Sequence, residues 1–255
     1  MTTPRIFLPR RWSEGETIAL PKAESRHVQV LRLQPGDGVV LFNGEDGCEW
    51  TAEIARIGRA EVELRVGAAL PQPGRELHFA VTLALGIPAN ERMDALVEKA
   101  TELGVAVIQP LICERSVVRL AGERAEARQR HWAAVAASAS EQCGRVRVPA
   151  VGVPTKLGAW FRALDASDDK APRWVLSLAA SAQPAVEQMR QRDDAIANGL
   201  FVLSGPEGGL APDEEASALR EGFLPVSLGP RTLRADTAPL ALLAWLGLAH
   251  RQGGA

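Results

Sequence analysis

Residues 199–214 read GLFVLSGPEGGLAPDE. An apolar run ends at Ser204, a turn holding Gly205, Gly208 and Gly209 follows, and Pro212 with Asp213, Glu214 and Glu215 opens a helix. Proline suits the first helical turn, and carboxylates suit its positive end. Strand, glycine turn and helix in that order build a parallel α/β sheet, which takes ligands at the carboxyl ends of its strands. Glycine lets main chain approach a ligand closely. The turn lacks the lysine and Ser/Thr of a phosphate-binding P-loop. Glu207 and the helix carboxylates would repel a polyphosphate. A ligand held by main-chain groups, neutral or positive, fits better; S-adenosylmethionine, with a sulfonium and an ammonium, qualifies. Any tight strand-to-helix connection can also look like this.

Outward from this turn the pattern repeats. Apolar segments at 79–86, 105–112, 146–152, 173–179, 199–204 and 224–229 read as strands with helical stretches between them. In residues 91–104, Met93, Leu96, Val97, Ala100 and Leu103 fall on one helix face, and Gly104 can end the helix. Residues 123–143 form a longer helix ending before Gly144. Near-continuous apolar strands alternating with helices give a parallel sheet covered on both faces. The first of these strands leads into GIPANERMD, without the G-x-G-x-x-G of a dinucleotide fold.

Before residue 70 the chain differs. GVVLFN (38–43), EWTAEIARI (49–57) and AEVELRV (60–66) show alternation of apolar and polar residues or β-rich runs, with turn residues between them. This part reads as a small β-barrel or sandwich with one helix near 24–33. ALPQPGRE (69–76) is the Pro/Gly linker. The domains are therefore expected at 1–70 and 76–255.

Composition narrows the function. The 255 residues carry a net charge of -2, so a nucleic-acid partner must be met by local basic patches. Of 29 basic residues only Lys22, Lys99, Lys156 and Lys170 are lysines; arginine, with its planar fork for phosphate, makes up the rest. Genomic bias toward arginine, alanine and glycine gives the same count. Cys48, Cys113 and Cys143 are scattered, as in a reducing cytoplasm. The four histidines have no metal-ligand spacing, so no metal is expected. MTTPRIFLPRRW lacks a signal peptide's apolar core, and PLALLAWLGLA is too short to span a bilayer, so no membrane partner is expected.

Two more loops collect polar residues. LGPRTLRADTAPL (228–240) crowds Gly229, Arg231, Arg234, Asp236 and Thr237 before a final helix, 238–251, that is apolar around most of its circumference. Asp236 or Thr237 can cap that helix, and such a helix must be buried on several sides. SASEQCGRVRVP (138–149) gathers Glu141, Gln142, Arg145 and Arg147, as a solvated helix end or a substrate contact.

The segments RIFL, MDALVEKATELGV, ASEQCGRVRVP, SGPEGGL and SLGPRTLRADTA, in this order, resemble the RsmE-type 16S ribosomal RNA uridine-N3 methyltransferases of the SPOUT superfamily. The resemblance implies an N-terminal PUA-like β-barrel that binds RNA and a C-terminal α/β domain with a trefoil knot. It further implies a homodimer, S-adenosylmethionine as methyl donor, and ribosomal RNA or the small ribosomal subunit as partner. Carried over by position, the donor would be held by Leu178 and Ala179; by Gly205, Pro206, Glu207, Gly208 and Gly209; and by Leu228, Gly229, Leu233, Arg234 and Thr237.

N3 of uridine must lose its imide proton to attack a methyl group. Arg234, then Arg231, are the candidates to stabilise the resulting anion. Glu207 and Asp236 are candidate bases, with water as the other acceptor. N3 lies on the pairing edge, so the base must be unpaired or flipped. Arg5, Arg10, Arg11, Arg26, Arg32, Arg115 and Arg145, with Glu141 and Gln142, are the candidate RNA contacts; Arg119, Arg124, Arg128, Arg130 and Arg147 add further cations. The sequence departs from the family pattern in several places. IPANER lacks a lysine that Arg92 would replace, Ser138 and Cys143 stand for glutamate and serine, Asp236 stands for glutamate, and AASAQP is unusual. Methylation of another RNA position, such as a ribose 2′-hydroxyl, and a non-catalytic RNA-binding assembly factor are the alternatives.

Overall fold

The computed structural model describes residues 3–249 apart from 60, 72–73, 90–91, 168–169 and 192. Parts of the expected linker (72–73), the residue expected to open the second helix (91) and the end of the last helix (250–251) lie outside the described residues. The chain divides into two compact units, Met1–Glu76 with Ser140–Val148, and Leu77–Ala139 with Pro149–Ala255.

The first unit holds β1 (Arg5–Phe7), β2 (Thr17–Ala19), α1 (Lys22–Val30), β3 (Gly38–Phe42), β4 (Cys48–Ile57) and β5 (Val62–Pro71). Its sheet runs β1-β3-β4-β5-β2, with β1 parallel to β3 and the other pairs antiparallel. The period of two read from the sequence is the burial pattern. Ala52 and Ile54 of β4, and Val62, Leu64 and Val66 of β5, point into a core with Ile6, Trp12 and Val28. The expected helix at 24–33 begins earlier and ends at Val30, just before Arg32 takes a positive φ of 58°.

Residues 140–148 join this unit through paired polar groups. The Arg145 guanidinium, 6% exposed, donates to Glu76 Oε2 from Nε and Nη2 at 2.9 and 2.6 Å. Arg75 Nη1 donates to the Gly144 carbonyl, Arg5 Nη2 to the Arg145 carbonyl, and the Phe7 amide to Glu141 Oε1. Gly144 carries the chain out of the helix at φ 85°. A strand was expected over 146–152; only Ala150–Val151 forms one, because Arg145 and Arg147 are committed to Glu76 and Arg147 bridges Gly44.

The second unit follows as β6 (Val81–Gly86), α2 (Arg92–Glu102), β7 (Val107–Ile112), α3 (Glu123–Cys143), β8 (Ala150–Val151), β9 (Thr155–Lys156) and α4 (Leu157–Ala166). It continues with β10 (Arg173–Leu176), β11 (Gln183–Pro184), α5 (Ala185–Gln191), α6 (Asp193–Ile196), β12 (Leu200–Ser204), α7 (Pro212–Arg220), β13 (Leu224–Ser227) and α8 (Thr237–Ala249). The last four residues of α3 count with the first unit. The sheet order is β11-β13-β10-β12-β6-β7-β8, with β9 also on β7, and every pair is parallel. On α2, Met93, Leu96, Val97 and Ala100 are buried, and Gly104 terminates the helix at φ 93°. The helix α4 is an addition to the expected elements. Its Leu157, Trp160, Phe161 and Leu164 pack with Phe223 and Val175, and the rings of Trp160 and Phe161 lie 5.8 and 5.7 Å from that of Phe223.

Glu76→Gln removes the carboxylate that faces the buried Arg145 guanidinium. Breaking a buried pair this way costs on the order of 3 kcal/mol. Urea unfolding of the variant should show a loss of about that size, whereas Glu45→Gln, which touches the exposed Arg11 only at 3.9 Å, should leave the midpoint unchanged.

Candidate active site

In the second unit β13, β10 and β12 are neighbours, so their carboxyl ends lie side by side. The three loops leaving them enclose a cavity of about 380 Å³. The loop after β10 is pinned by Ser177, whose Oγ donates to Glu215 of α7 and receives the Ala179 amide at 3.0 Å. The loop after β13 turns at Gly229, with φ 108°.

The glycine loop after β12 is folded back on itself. A Cβ on Gly205 would stand 2.7 Å from the Leu210 nitrogen, and one on Gly86 would stand 2.4 Å from the Pro206 nitrogen. Gly209, at φ 69°, donates its amide to the Pro206 carbonyl at 2.8 Å. Two charged side chains tie this loop to the one after β7. Arg115 Nη1 donates to the carbonyls of Gly208 and Leu210 at 2.8 and 3.3 Å. Glu214 accepts the Ala211 amide on Oε2 and the Glu114 amide on Oε1. Glu207 reaches the other way: its Oε1 accepts the Ala89 amide at 2.9 Å and lies 3.6 Å from Arg92 Nη1.

All five residues from Gly205 to Gly209 line the cavity, as do Leu178, Leu228, Gly229, Arg231 and Leu233. Ala179, Arg234, Asp236 and Thr237 are not on its wall. The Arg234 carbonyl instead receives the amides of Thr237 and Ala238 at the start of α8, and Thr237 Oγ1 donates to Asp236. Sequence reasoning missed Ser177 and Glu215 as wall residues and assigned Arg115 to RNA. Glu215 was legible only as a helix-opening carboxylate, and Arg115 lies 93 residues from the loop it holds.

The candidate RNA contacts separate into two groups. Arg5 pairs with Glu49 and lies over the Phe42 ring; burial, then the Arg75 charge, lowers its pKa. With Arg145 it faces inward, so neither offers a free fork to a phosphate. Burial raises the Glu141 carboxyl above its usual range. Arg10 pairs with Glu16 but stays half exposed, while Arg11, Arg26, Arg32 and Gln142 are exposed.

Residues 75–247 match the family model of an RNA methyltransferase domain, and residues 20–67 match that of an RNA methyltransferase PUA domain. A ribosomal RNA small subunit methyltransferase E from Synechocystis is 31% identical over 89% of this chain and 72% of its own length. The chain belongs to the ribosomal RNA small subunit methyltransferase E family. Another member, from Mycobacterium tuberculosis, is 32% identical over 86% of this chain and 81% of its own. Among solved structures, the family member from Neisseria gonorrhoeae, bound to S-adenosyl methionine, aligns with TM-score 0.87 and 34% identity over 98% of both chains. A putative methyltransferase from Legionella pneumophila, solved with bound SAM, aligns with TM-score 0.86 and 33% identity over 98% of both. Within this family member, no group of three His, Cys, Asp or Glu among the described residues is placed to hold a metal. No helix among them is long and apolar enough to cross a membrane.

Arg115 makes two hydrogen bonds to carbonyls of the glycine loop. Hydrogen bonds to a charged group contribute about 1.5–3 kcal/mol when well made, and roughly 1.4 kcal/mol is a factor of ten in an opening equilibrium. In Arg115→Met the amides of residues 208–210 should exchange with deuterium about tenfold faster, by mass spectrometry, with the exchange of β12 unchanged.

Proposed function

We propose that this protein transfers a methyl group from S-adenosylmethionine to N3 of a uridine in 16S ribosomal RNA of the small subunit. The observation that carries this is the strand-end cavity itself. Its wall is largely glycine main chain, with the carboxylates of Glu207 and Glu215, the arginines Arg115 and Arg231 and the apolar Leu178, Leu228 and Leu233, and no lysine among the described residues. Those residues fit the donor: main chain can approach it closely, leucines pack its apolar faces, and carboxylates offset its cationic groups. When bound there, S-adenosylmethionine supplies an activated methyl group.

The remaining work falls to the chain. Arg231, on the cavity wall, stabilises the anion at the uridine imide. Arg234, off the wall, serves the start of α8 in this reading. Glu207 has one oxygen committed to Ala89 and Arg92, while its Oε2 has no hydrogen bond among the described residues. That oxygen receives the N3 proton. Asp236, bonded to Thr237, takes no proton. Alignment of the reacting atoms supplies much of the acceleration.

The first unit, residues 1–70 above all, holds RNA through the exposed Arg10, Arg11, Arg26 and Arg32. Residues 76–255 carry the transfer and the trefoil threading. The protein acts as a homodimer that covers the exposed part of α8, where Leu248 is 67% exposed. Its place is the cytoplasm, where small subunits are assembled.

The test is incubation of the purified protein with labelled S-adenosylmethionine and small subunits from cells lacking it, with the product nucleoside identified by mass spectrometry. N3-methyluridine is expected; a 2′-O-methyl nucleoside would replace the reaction, and no donor binding at millimolar concentration would replace the enzyme by a binding factor. Arg231→Ala and Glu207→Gln should each lower kcat roughly 100-fold, the size of one electrostatic or acid–base contribution. Arg234→Ala should lower it less than tenfold.

A further inference from the structure

A second cleft of the same unit, about 790 Å³, is lined from two chain segments that also reach the first cavity. The loop after β6 gives it Ile87 and Pro88 and the start of α2 gives it Arg92, while Ala89 of that loop and Arg92 hold Glu207 of the first cavity. The loop after β7 gives Arg115 to the first cavity and Val118 and Leu120 to the second. Glu207, on the wall of the first cavity, is thus held by the segment that lines the second.

The second cleft has an apolar floor and a cationic rim. Ile87, Met93 and Trp132 are 1%, 2% and 3% exposed, and Arg92 and Arg128 stand at the edge. Asp94 is the single acid among its described lining residues. Both its oxygens are engaged, Oδ1 by Trp132 Nε1 at 3.0 Å and Oδ2 by His131 Nε2 at 2.7 Å. An unpaired nucleotide matches this arrangement. Its base packs on apolar and aromatic walls, and arginine forks take its phosphate oxygens. A phosphate alone would use the rim and leave the accessible apolar lining of Ala95, Val118 and Leu120 in water, and a duplex hides the base faces that this lining would cover.

We propose that this cleft seats the acceptor RNA as a single strand, with Arg92 and Arg128 on its phosphates and the target base turned toward Glu207. The inference rests on the methyl-transfer reading above. Arg92 then serves both sites, as the partner of Glu207 and as part of the rim.

Two variants on different elements test it: Arg128→Glu reverses a rim charge, and Leu120→Trp fills the cleft. With undermethylated small subunits, each should raise the RNA KM about tenfold or more, while the donor Kd by calorimetry stays within about twofold. Arg128→Ala should also make the salt dependence of RNA binding shallower by about 0.7 in log–log slope, the value for one phosphate of a single strand. Unchanged RNA KM and salt slope in variants that bind donor normally would overturn the assignment. So would a changed sedimentation mass with unchanged RNA KM, which would give the cleft to a protein contact. If the wild-type protein transfers no methyl group, the broader reading fails by itself. The cleft is then decided by anisotropy of a fluorescein-labelled single-stranded RNA, which Arg128→Glu and Leu120→Trp should each still weaken.

Discussion

At the end of β6 there is room for a hydrogen atom and nothing larger. A methyl group on Gly86 would meet the nitrogen of Pro206 and the carbonyl carbon of Gly205, both main chain. Main chain cannot rotate aside as a side chain can, so the loop after β12 comes this close to the end of β6 only because residue 86 is glycine. Gly205 repeats the condition within the loop itself, against Leu210 and Gly209. The cavity is therefore shaped by peptide groups, and any bulk at these two positions would move the whole wall.

A wall made of main chain has few side chains with which to anchor itself, and the anchors come from elsewhere. Arg115 grips two carbonyls of the loop, and Glu214 receives amides from both sides of the gap. Glu207 extends from the loop to the far side. Each is a charged group bonded to a neutral peptide, which is stronger than a bond between two neutral partners. The acidic opening of α7 thus does more than answer the helix dipole: Glu215 meets Ser177 and Glu214 meets residue 114.

Much of this was legible in the chain. Periodicity gave the burial of α2, β4 and β5, since the residues spaced by a helical turn or by two are the buried ones. The glycine loop could be read because glycine is the one residue whose presence reports a backbone constraint directly. Strand 146–152 misled because apolar spacing is blind to ion pairs: Glu76 draws Arg145 and Arg147 away from the sheet. The helix α4 was there to be read, with Leu157, Trp160, Phe161 and Leu164 on one stripe. Arg115 could not be read, because a side chain reaching a carbonyl 93 residues away leaves no local pattern. Sequence reasoning puts Arg234 ahead of Arg231 as the cation, whereas Arg231 lines the cavity and Arg234 does not, a difference with no mark in the sequence.

The N-terminal unit is not continuous along the chain: it closes with residues 140–148. A ribosome making this protein releases the first five strands long before Glu141 and Arg145 exist. Until then the Phe7 amide lacks its acceptor, and Glu76 lacks the cation it will enclose. The unit that is synthesised first is thus completed late, after most of α3 has emerged. A fragment cut at residue 76 would stay in that unfinished condition.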